Sequence, residues 1–261
     1  MLLNWRSWWE ELVDIVFPAS GLCIFCWKAY SGSPERGVCP QCTALILAQH
    51  QATSVCPRCG RFHTESICPN CQGLGISGLA SIISVVPYEG QYREIIQHFK
   101  YGGKQELSKS IGYLMGRRFL RTYPTVKPDL VIPVPLEPHR QLERGFNQSS
   151  LLANAVGRSI GRPVLEDCLF RGTGKASQTT LGRVERMANT WEAFYPQTDK
   201  DLNGKSILLV DDIITTGATL AACALALRSI GAKEVWGLTW AAGIRQNIAN
   251  TGVKKRSSMS I

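Results

Sequence analysis

Short hydrophobic runs alternate with polar turns along most of the chain, a pattern typical of alternating strands and helices. Residues 207–210 are four consecutive aliphatic residues and predict a strand that is buried on both faces. Residues 220–227 follow after a short polar turn and are rich in strong helix formers, which predicts a helix. Strand, turn and helix in this order begin a βαβ unit, in which ligands bind beyond the carboxyl ends of the strands.

The other hydrophobic runs predict the remaining elements of an α/β domain. Strands are predicted at residues 82–86, 129–135, 164–171 and 235–241, and helices at residues 92–99, 106–123 and 151–160. This alternation favours a mostly parallel sheet flanked by helices. Residues 73–78 are rich in glycine, and we place a domain boundary there, with the α/β domain at residues 79–243.

Residues 1–20 predict an amphipathic helix. Their apolar residues, three tryptophans among them, fall on one broad helical face. This face could dock on the rest of the chain, or it could contact a membrane surface or a partner protein, because tryptophan suits such interfaces. Charged residues interrupt the segment, so it lacks the features of a signal peptide. No uninterrupted run of about 18 apolar residues occurs elsewhere, so no membrane-spanning helix is expected.

Eight of the ten cysteines form four Cys-x-x-Cys pairs. Each pair makes a tight turn that directs two thiolates to one point, and two such turns complete a tetrahedral Zn²⁺ site. Twelve residues separate the first two pairs and eight separate the last two, and we expect each pair to share its metal with its neighbour in sequence. Redox motifs are the competing interpretation, which four pairs within 49 residues disfavour. We predict a double zinc ribbon over residues 21–75, with these ligands: Cys23, Cys26, Cys39 and Cys42 for one ion, and Cys56, Cys59, Cys68 and Cys71 for the other.

The turn after residues 207–210 carries the most specific chemistry. Asp211 and Asp212 are followed by Thr215, Thr216, Gly217, Ala218 and Thr219. The glycine lets the backbone approach an anion, and the amides that open the next helix carry the positive end of its dipole, which suits a phosphate. The acids repel a phosphate but accept hydrogen bonds from hydroxyls, so the pair suits a ribose 5-phosphate. A simple helix cap, the competing interpretation, needs one acid rather than two.

The net charge of +9 is unevenly distributed. Residues 1–79 contain 5 basic and 5 acidic residues, whereas residues 100–187 contain 15 basic and 7 acidic residues, a surplus of 8. A surplus of this kind suits a polyphosphate ligand, a nucleic acid or a solvated basic surface.

Several basic residues within this surplus suit an anion beside the acid pair. Lys100 lies in a basic turn between two predicted helices. Arg144 and Gly145 follow a predicted core strand, where a guanidinium and backbone amides can hold a pyrophosphate. Lys175 and Arg186 belong to a polar loop, which either closes over the site or is an ordinary exposed loop.

Residues 211–219 resemble the phosphoribosyl pyrophosphate (PRPP) signature of type I phosphoribosyltransferases. The resemblance implies that Asp211 and Asp212 hold the ribose hydroxyls, that residues 215–219 wrap the 5-phosphate, and that Mg²⁺ binds with the pyrophosphate. The residues then expected on the pyrophosphate side are Lys100, Arg144, Gly145, Lys175 and Arg186.

The order of all these motifs resembles the ComF family of competence-related proteins, which join a double zinc ribbon to a type I phosphoribosyltransferase domain. The matching residues are the four cysteine pairs, residues 99–103, 134–136, 144–148 and 211–219, and Gln178, Leu181 and Arg186. Members are cytoplasmic bacterial proteins, several of them linked to uptake of single-stranded DNA during natural transformation. The resemblance implies two structural Zn²⁺ ions, PRPP with Mg²⁺, and single-stranded DNA and a competence helicase as partners.

Two hypotheses about function stay open. In the first, the chain is a phosphoribosyltransferase, a glycosyltransferase for a pentosyl group, whose acceptor the sequence does not reveal. In the second, it is a non-catalytic module that binds a sugar phosphate or single-stranded DNA as an adaptor in the competence machinery. We expect a cytoplasmic location, with peripheral membrane contact left open by residues 1–20, and a flexible basic tail at residues 244–261.

Overall fold

The computed structural model describes residues 21–30, 37–48, 54–63, 68, 71–72, 75–172, 194–197 and 199–243. The predicted amphipathic helix at residues 1–20, the polar loop with Lys175 and Arg186, and the basic tail at residues 244–261 lie outside them. None of the helices that the structure describes has the length and apolar character needed to cross a bilayer.

Strands and helices alternate over most of the described chain. The strands are β1 (Ser54–Val55), β2 (Phe62–His63), β3 (Ser81–Pro87), β4 (Leu130–Pro133), β5 (Leu169–Arg171), β6 (Phe194–Pro196), β7 (Ser206–Ile214) and β8 (Glu234–Ala242). The helices are α1 (Pro40–Ala48), α2 (Gly90–Tyr101), α3 (Leu107–Thr122), α4 (Pro138–Arg144), α5 (Gln148–Ile160) and α6 (Ala218–Ser229).

A four-stranded parallel sheet in the order β3-β8-β7-β4 forms the centre of the protein. Parallel neighbours need crossover connections, which the intervening helices provide. One hydrophobic cluster joins the sheet to residues of α2, α3 and α5, and another joins it to α6 and to the antiparallel strand pair β5–β6. Because both faces are covered, the strands are continuous hydrophobic runs, as predicted for an α/β fold with a mostly parallel sheet.

The predicted strand at residues 164–171 is wrong as a single element. Val164 makes one isolated parallel bridge to Val131, and β5 pairs antiparallel with β6 in a separate two-stranded sheet. A turn at residues 166–167 interrupts the extended chain, and Asp167 in this turn is 2.9 Å from the Nζ of Lys200.

Two other boundaries differ from the prediction. Strand β7 does not end before the two acids but continues through them to Ile214, because its pairing with β8 continues as far as Ala242. Residues 138–144, expected in a loop, form the short helix α4, which begins with Pro138 in the first turn, where proline is well tolerated. Helix α5 begins at Gln148, three residues earlier than predicted.

Candidate functional site

The two acids at the carboxyl end of β7 are both paired with other parts of the protein. The Nζ of Lys100, near the end of α2, is 2.8 Å from Oδ2 of Asp212. The Oδ1 of Asp211 accepts hydrogen bonds from the hydroxyl of Ser149 in α5 at 2.9 Å and from the backbone N–H of Asp212 at 2.8 Å. The carboxylates therefore lie where two helices meet the end of the central sheet.

The environment of Asp211 makes its carboxyl hard to ionise. Burial, followed by the charge of Asp212, raises the pKa of Asp211 to about 7, against an ordinary value of 3.8. The hydrogen bonds from the Asp212 amide and from Ser149, and the charge of Lys100, lower this pKa, but they do not offset burial. A raised pKa in a carboxylate pair is typical of functional sites.

The turn between β7 and α6 combines a left-handed glycine, exposed threonines and a helix N-terminus. Gly217 has φ +82°, which disfavours any residue with a side chain, and a Cβ placed on it would lie 2.2 Å from Cδ1 of Ile76. Thr215 and Thr216 are exposed, and Oγ1 of Thr216 accepts a hydrogen bond from the Ala218 amide at 3.3 Å. The first turn of α6 also brings Thr219 to this end of the helix. These residues surround a helix N-terminus, where amides attract anions.

Two segments distant in sequence form the wall beside the acids. The rings of Phe99 and Phe146 lie 6.0 Å apart, and the guanidinium of Arg144 lies 4.8 Å from the centre of the Tyr101 ring. Arg144 donates to the Tyr101 hydroxyl through Nη2 at 2.9 Å and to Oε1 of Gln148 through Nη1 at 3.0 Å. These contacts place the guanidinium of Arg144 between Gln148 of α5 and Tyr101, the last residue of the helix that also carries Lys100.

The chain between Arg144 and α5 is fixed at both ends. Gly145 has φ +76° and ends α4, and its amide donates to the carbonyl of Gln141 at 2.8 Å. Asn147 caps α5 by accepting from the Ser149 amide at 3.0 Å, and its Nδ2 donates to the Val134 carbonyl at 3.1 Å. The Gly145 amide is thus part of the helix cap, so its contact with a pyrophosphate stays a prediction.

Sequence reasoning gave no site role to the two residues that orient the predicted ones. These are Ser149 beneath Asp211, and Gln148 beside Arg144; Gln148 was named only within the matching residues 144–148. Both are buried, and both stand at the start of a helix, where polar residues usually indicate a cap. Their burial sets these two residues apart from ordinary helix caps. The sequence cannot show that burial, because a single polar position is buried or exposed according to long-range packing. Of the predicted site residues, only Lys175 and Arg186 lie outside the described residues.

The eight paired cysteines form two separate groups in the predicted sequential pairing. The four sulfurs of each group lie within 4.8 Å of one another. The Cys26–Cys39 sulfur distance is 3.8 Å, and the Cys56–Cys71 and Cys59–Cys68 distances are both 3.6 Å. Four thiolates at roughly 2.3 Å from a tetrahedral zinc are roughly 3.8 Å apart. Each group could therefore hold a structural Zn²⁺.

Sequence comparison agrees with the geometry of the α/β domain. Residues 151–249 match the phosphoribosyl transferase domain family. Adenine phosphoribosyltransferase, among solved structures, is 16% identical, covers 57% of this chain and 83% of its own, and has a TM-score of 0.36. The glutamine PRPP amidotransferase from B. subtilis is 21% identical and has a TM-score of 0.35. The match covers 50% of this chain and 25% of that protein's chain. Scores this low carry no weight of their own. The domain match and the parallel sheet define a phosphoribosyltransferase-type protein.

Other proteins are similar to this chain over most of its length. Competence protein F of Haemophilus influenzae is 31% identical over 229 residues, 83% of this chain and 95% of that protein. Competence protein ComFC of Bacillus subtilis is 27% identical over 217 residues, 76% and 85% respectively. The DNA utilization protein YhgH of Escherichia coli K12 is 28% identical over 223 residues, 83% and 95%. The chain belongs to the ComF family.

Proposed function

We propose that this chain binds PRPP together with Mg²⁺ through residues 211–219 and serves DNA uptake in the bacterial cytoplasm. The observation that carries the proposal is the acid pair on β7, which a short turn joins to the N-terminus of α6. One strand end thereby combines acceptors for a diol with donors for a phosphate. The names of the relatives, competence proteins and DNA utilization proteins, support the role in DNA uptake.

The acids position the sugar in this proposal. Asp211 and Asp212 accept hydrogen bonds from the ribose hydroxyls, while residues 215–219 and the amides that open α6 surround the 5-phosphate. Lys100 lies 2.8 Å from the carboxylate of Asp212 and neutralises it. When hydroxyls replace the ammonium at Asp212, Lys100 is released to face the pyrophosphate, which carries more negative charge than the carboxylate that it leaves.

Arg144 is prepared for the leaving group. Its contacts with Tyr101 and Gln148 use one N–H on each terminal nitrogen, and the other donors of the guanidinium can bind phosphate oxygens. The bond between C1 of the ribose and the pyrophosphate oxygen breaks with its electron pair on the oxygen, and the acceptor forms a new bond at C1. Arg144 and the basic loop with Lys175 and Arg186 stabilise the departing charge. Bound Mg²⁺ would neutralise part of the same charge.

A second candidate function is a binding module without turnover. It is favoured by the pairing of both acids with protein groups and by the surplus of 8 basic residues between positions 100 and 187. In this case the pocket senses a sugar phosphate, and the basic surface holds single-stranded DNA beside a competence helicase. DNA affinity should then fall with a log–log salt slope of about −0.7 per phosphate contacted. Pyrophosphate release in the presence of candidate acceptors separates this function from the transferase.

Calorimetry on two pairs of substitutions tests the binding proposal. Asp211→Asn with Asp212→Asn should weaken PRPP binding on the order of a hundredfold or more, since each charge-assisted hydrogen bond contributes about 1.5–3 kcal/mol. Inorganic phosphate should bind as before or more tightly, because the negative charge of the acid pair has gone and Lys100 is released. Thr215→Val with Thr219→Val should weaken both ligands.

The two pairs thus separate the sugar part of the site from its phosphate part. PRPP binding that survives the asparagine pair unchanged, or phosphate binding that falls as far as PRPP binding, would mean that the acids do not lie under a ribose. The ribose 5-phosphate interpretation would then fail, whatever the acceptor.

A further inference from the structure

The segment between the second cysteine group and β3 lies directly against the phosphate turn. Ile76 packs on the buried cluster of Cys56, Cys59 and Cys68. The same side chain reaches Gly217, where a Cβ would come within 2.2 Å of its Cδ1. Ile76 also packs against the core cluster that contains α6. One side chain therefore contacts a predicted zinc group and the glycine at the centre of the predicted phosphate site.

This segment is held firmly on α6. The Nε of Arg228 donates to the carbonyl of Gly78 at 2.7 Å, and a Cβ on Gly78 would lie 3.1 Å from the Cβ of Ala224. The Leu79 amide donates to the Ile76 carbonyl at 3.2 Å. Ile76 thus belongs to an ordered strap, defined here as residues 75–80, and not to a loose glycine-rich link.

The second cysteine group is fixed to the central sheet from its other side. A Cβ on Gly60 would lie 2.7 Å from Cγ2 of Ile82, and the Ser81 hydroxyl donates to the Pro57 carbonyl. The backbone between Cys56 and Gly60 therefore rests on β3, on the side of the cysteine cluster that faces the central sheet. Ile76 is thus packed between the cysteine cluster and Gly217.

We propose that Ile76 is a positioning residue through which the second cysteine group, when it holds Zn²⁺, keeps the phosphate turn in its binding conformation. Glycine populates negative and positive φ about equally, so Gly217 alone does not hold φ +82°. The side chain of Ile76 blocks alternative positions of this residue. Loss of the metal loosens the cysteine turns, as in other structural zinc sites, and frees Ile76. The inference relies on the proposed function only for its ligand, phosphate.

Ile76→Ala in the full-length protein tests the proposal, with Leu79→Ala as a matched control. Leu79 lies in the same strap and packs on the same core cluster, but it is not among the apolar residues packed on the cysteine cluster. Ile76→Ala should accelerate hydrogen exchange at residues 215–219 and weaken inorganic phosphate and PRPP binding on the order of tenfold, with zinc content unchanged. Leu79→Ala should leave both the exchange and the affinity near those of the wild type. Similar effects in the two variants would overturn the proposal.

Variants that lack the metal test whether the second cysteine group acts on the phosphate turn. Cys56→Ser with Cys59→Ser should remove one zinc and accelerate exchange in the same turn. Adding Ile76→Ala to this pair should then change the turn little, because coupled residues are not additive. A turn that exchanges as in the wild type after the metal is lost would contradict the coupling. Wild-type protein that binds neither phosphate nor PRPP would instead remove the proposed function, while the exchange comparison would still decide the role of Ile76.

Discussion

The carboxyl group of Asp211 is where the opposing electrostatic effects in this site can be measured. Burial and the neighbouring Asp212 raise its pKa to about 7, although it accepts two hydrogen bonds and lies near Lys100. In the unfolded chain the pKa of Asp211 returns to about 3.8. Between these two values the folded state retains a proton that the unfolded state has lost, so stability falls as the pH rises.

Asp211→Asn should remove this part of the pH dependence. Asparagine cannot ionise, and its Oδ1 can still accept from Ser149 and from the Asp212 amide. In thermal unfolding, the Tm of the variant minus that of the wild type should therefore increase as the pH rises from about 4 to about 7. Asp167→Asn is the control of opposite sign, because the hydrogen bond from Lys200 lowers the pKa of Asp167 and stabilises the fold only above that pKa. Parallel curves for the wild type and Asp211→Asn would contradict the prediction.

Gly217 and Gly145 allow backbone strain to be separated from packing. Both have left-handed φ angles, +82° and +76°, but a Cβ on Gly145 would meet no atom within 4 Å, whereas one on Gly217 would strike Ile76. Gly145→Ala should cost about 1–2 kcal/mol from strain alone. Gly217→Ala should cost more, because Ile76 must also move. Urea unfolding measures both, and equal losses would mean that Ile76 yields freely.

At the scale of elements, strand β7 illustrates which parts of the fold were predictable. Four consecutive aliphatic residues predict a core strand that is covered on both faces. The polar turn and the helix-forming residues after them predict the start of a βαβ unit. The strand continues past Asp211 because β8 pairs with it, a long-range contact that the local pattern does not contain. Likewise, β5 could not be predicted from residues 164–171, because its partner β6 begins at Phe194.

Helix α5 gives an element-scale prediction, because one side chain fixes both its start and the loop before it. Asn147→Ala removes the cap on the Ser149 amide and the tie to the Val134 carbonyl, and should cost about 1 kcal/mol or more in urea unfolding. PRPP affinity should fall as well, because Arg144 and Ser149 flank this residue. Asn147→Asp keeps the acceptor and should recover the cap alone.

Asn154→Ala is the control within the same helix. Its Nδ2 donates to the Ser150 carbonyl and to the exposed Glu166, away from the acid pair. This variant should lose little stability and no PRPP affinity. An equal loss of affinity in the two asparagine variants would show that the helix as a whole, and not its first turn, determines binding.

On the scale of the whole molecule, the first cysteine group belongs to the main core. Cys23, Cys39 and Cys42 share one hydrophobic cluster with Phe99 and Trp240, the latter fully buried in β8. The spacing of the cysteines predicted their grouping, because the grouping depends on residues that are close in sequence. The spacing could not predict the burial of the first group, because nothing in a Cys-x-x-Cys turn specifies the surface on which the turn packs. The second group has a small cluster of its own, joined by Ile76.

The shared core predicts that the first cysteine group and the α/β domain unfold together. Cys39→Ser should remove one zinc and lower the Tm of the entire chain, since metal binding here contributes folding free energy to the main core. Loss of helix signal in circular dichroism and release of zinc to a chromogenic chelator should coincide in the wild type. Cys168→Ser is the matched control, because this fully buried thiol lies outside both cysteine groups and its loss should leave two zinc ions bound. Zinc release from the first group well before the helices melt would show that the ribbon is an independent unit that merely rests on the sheet.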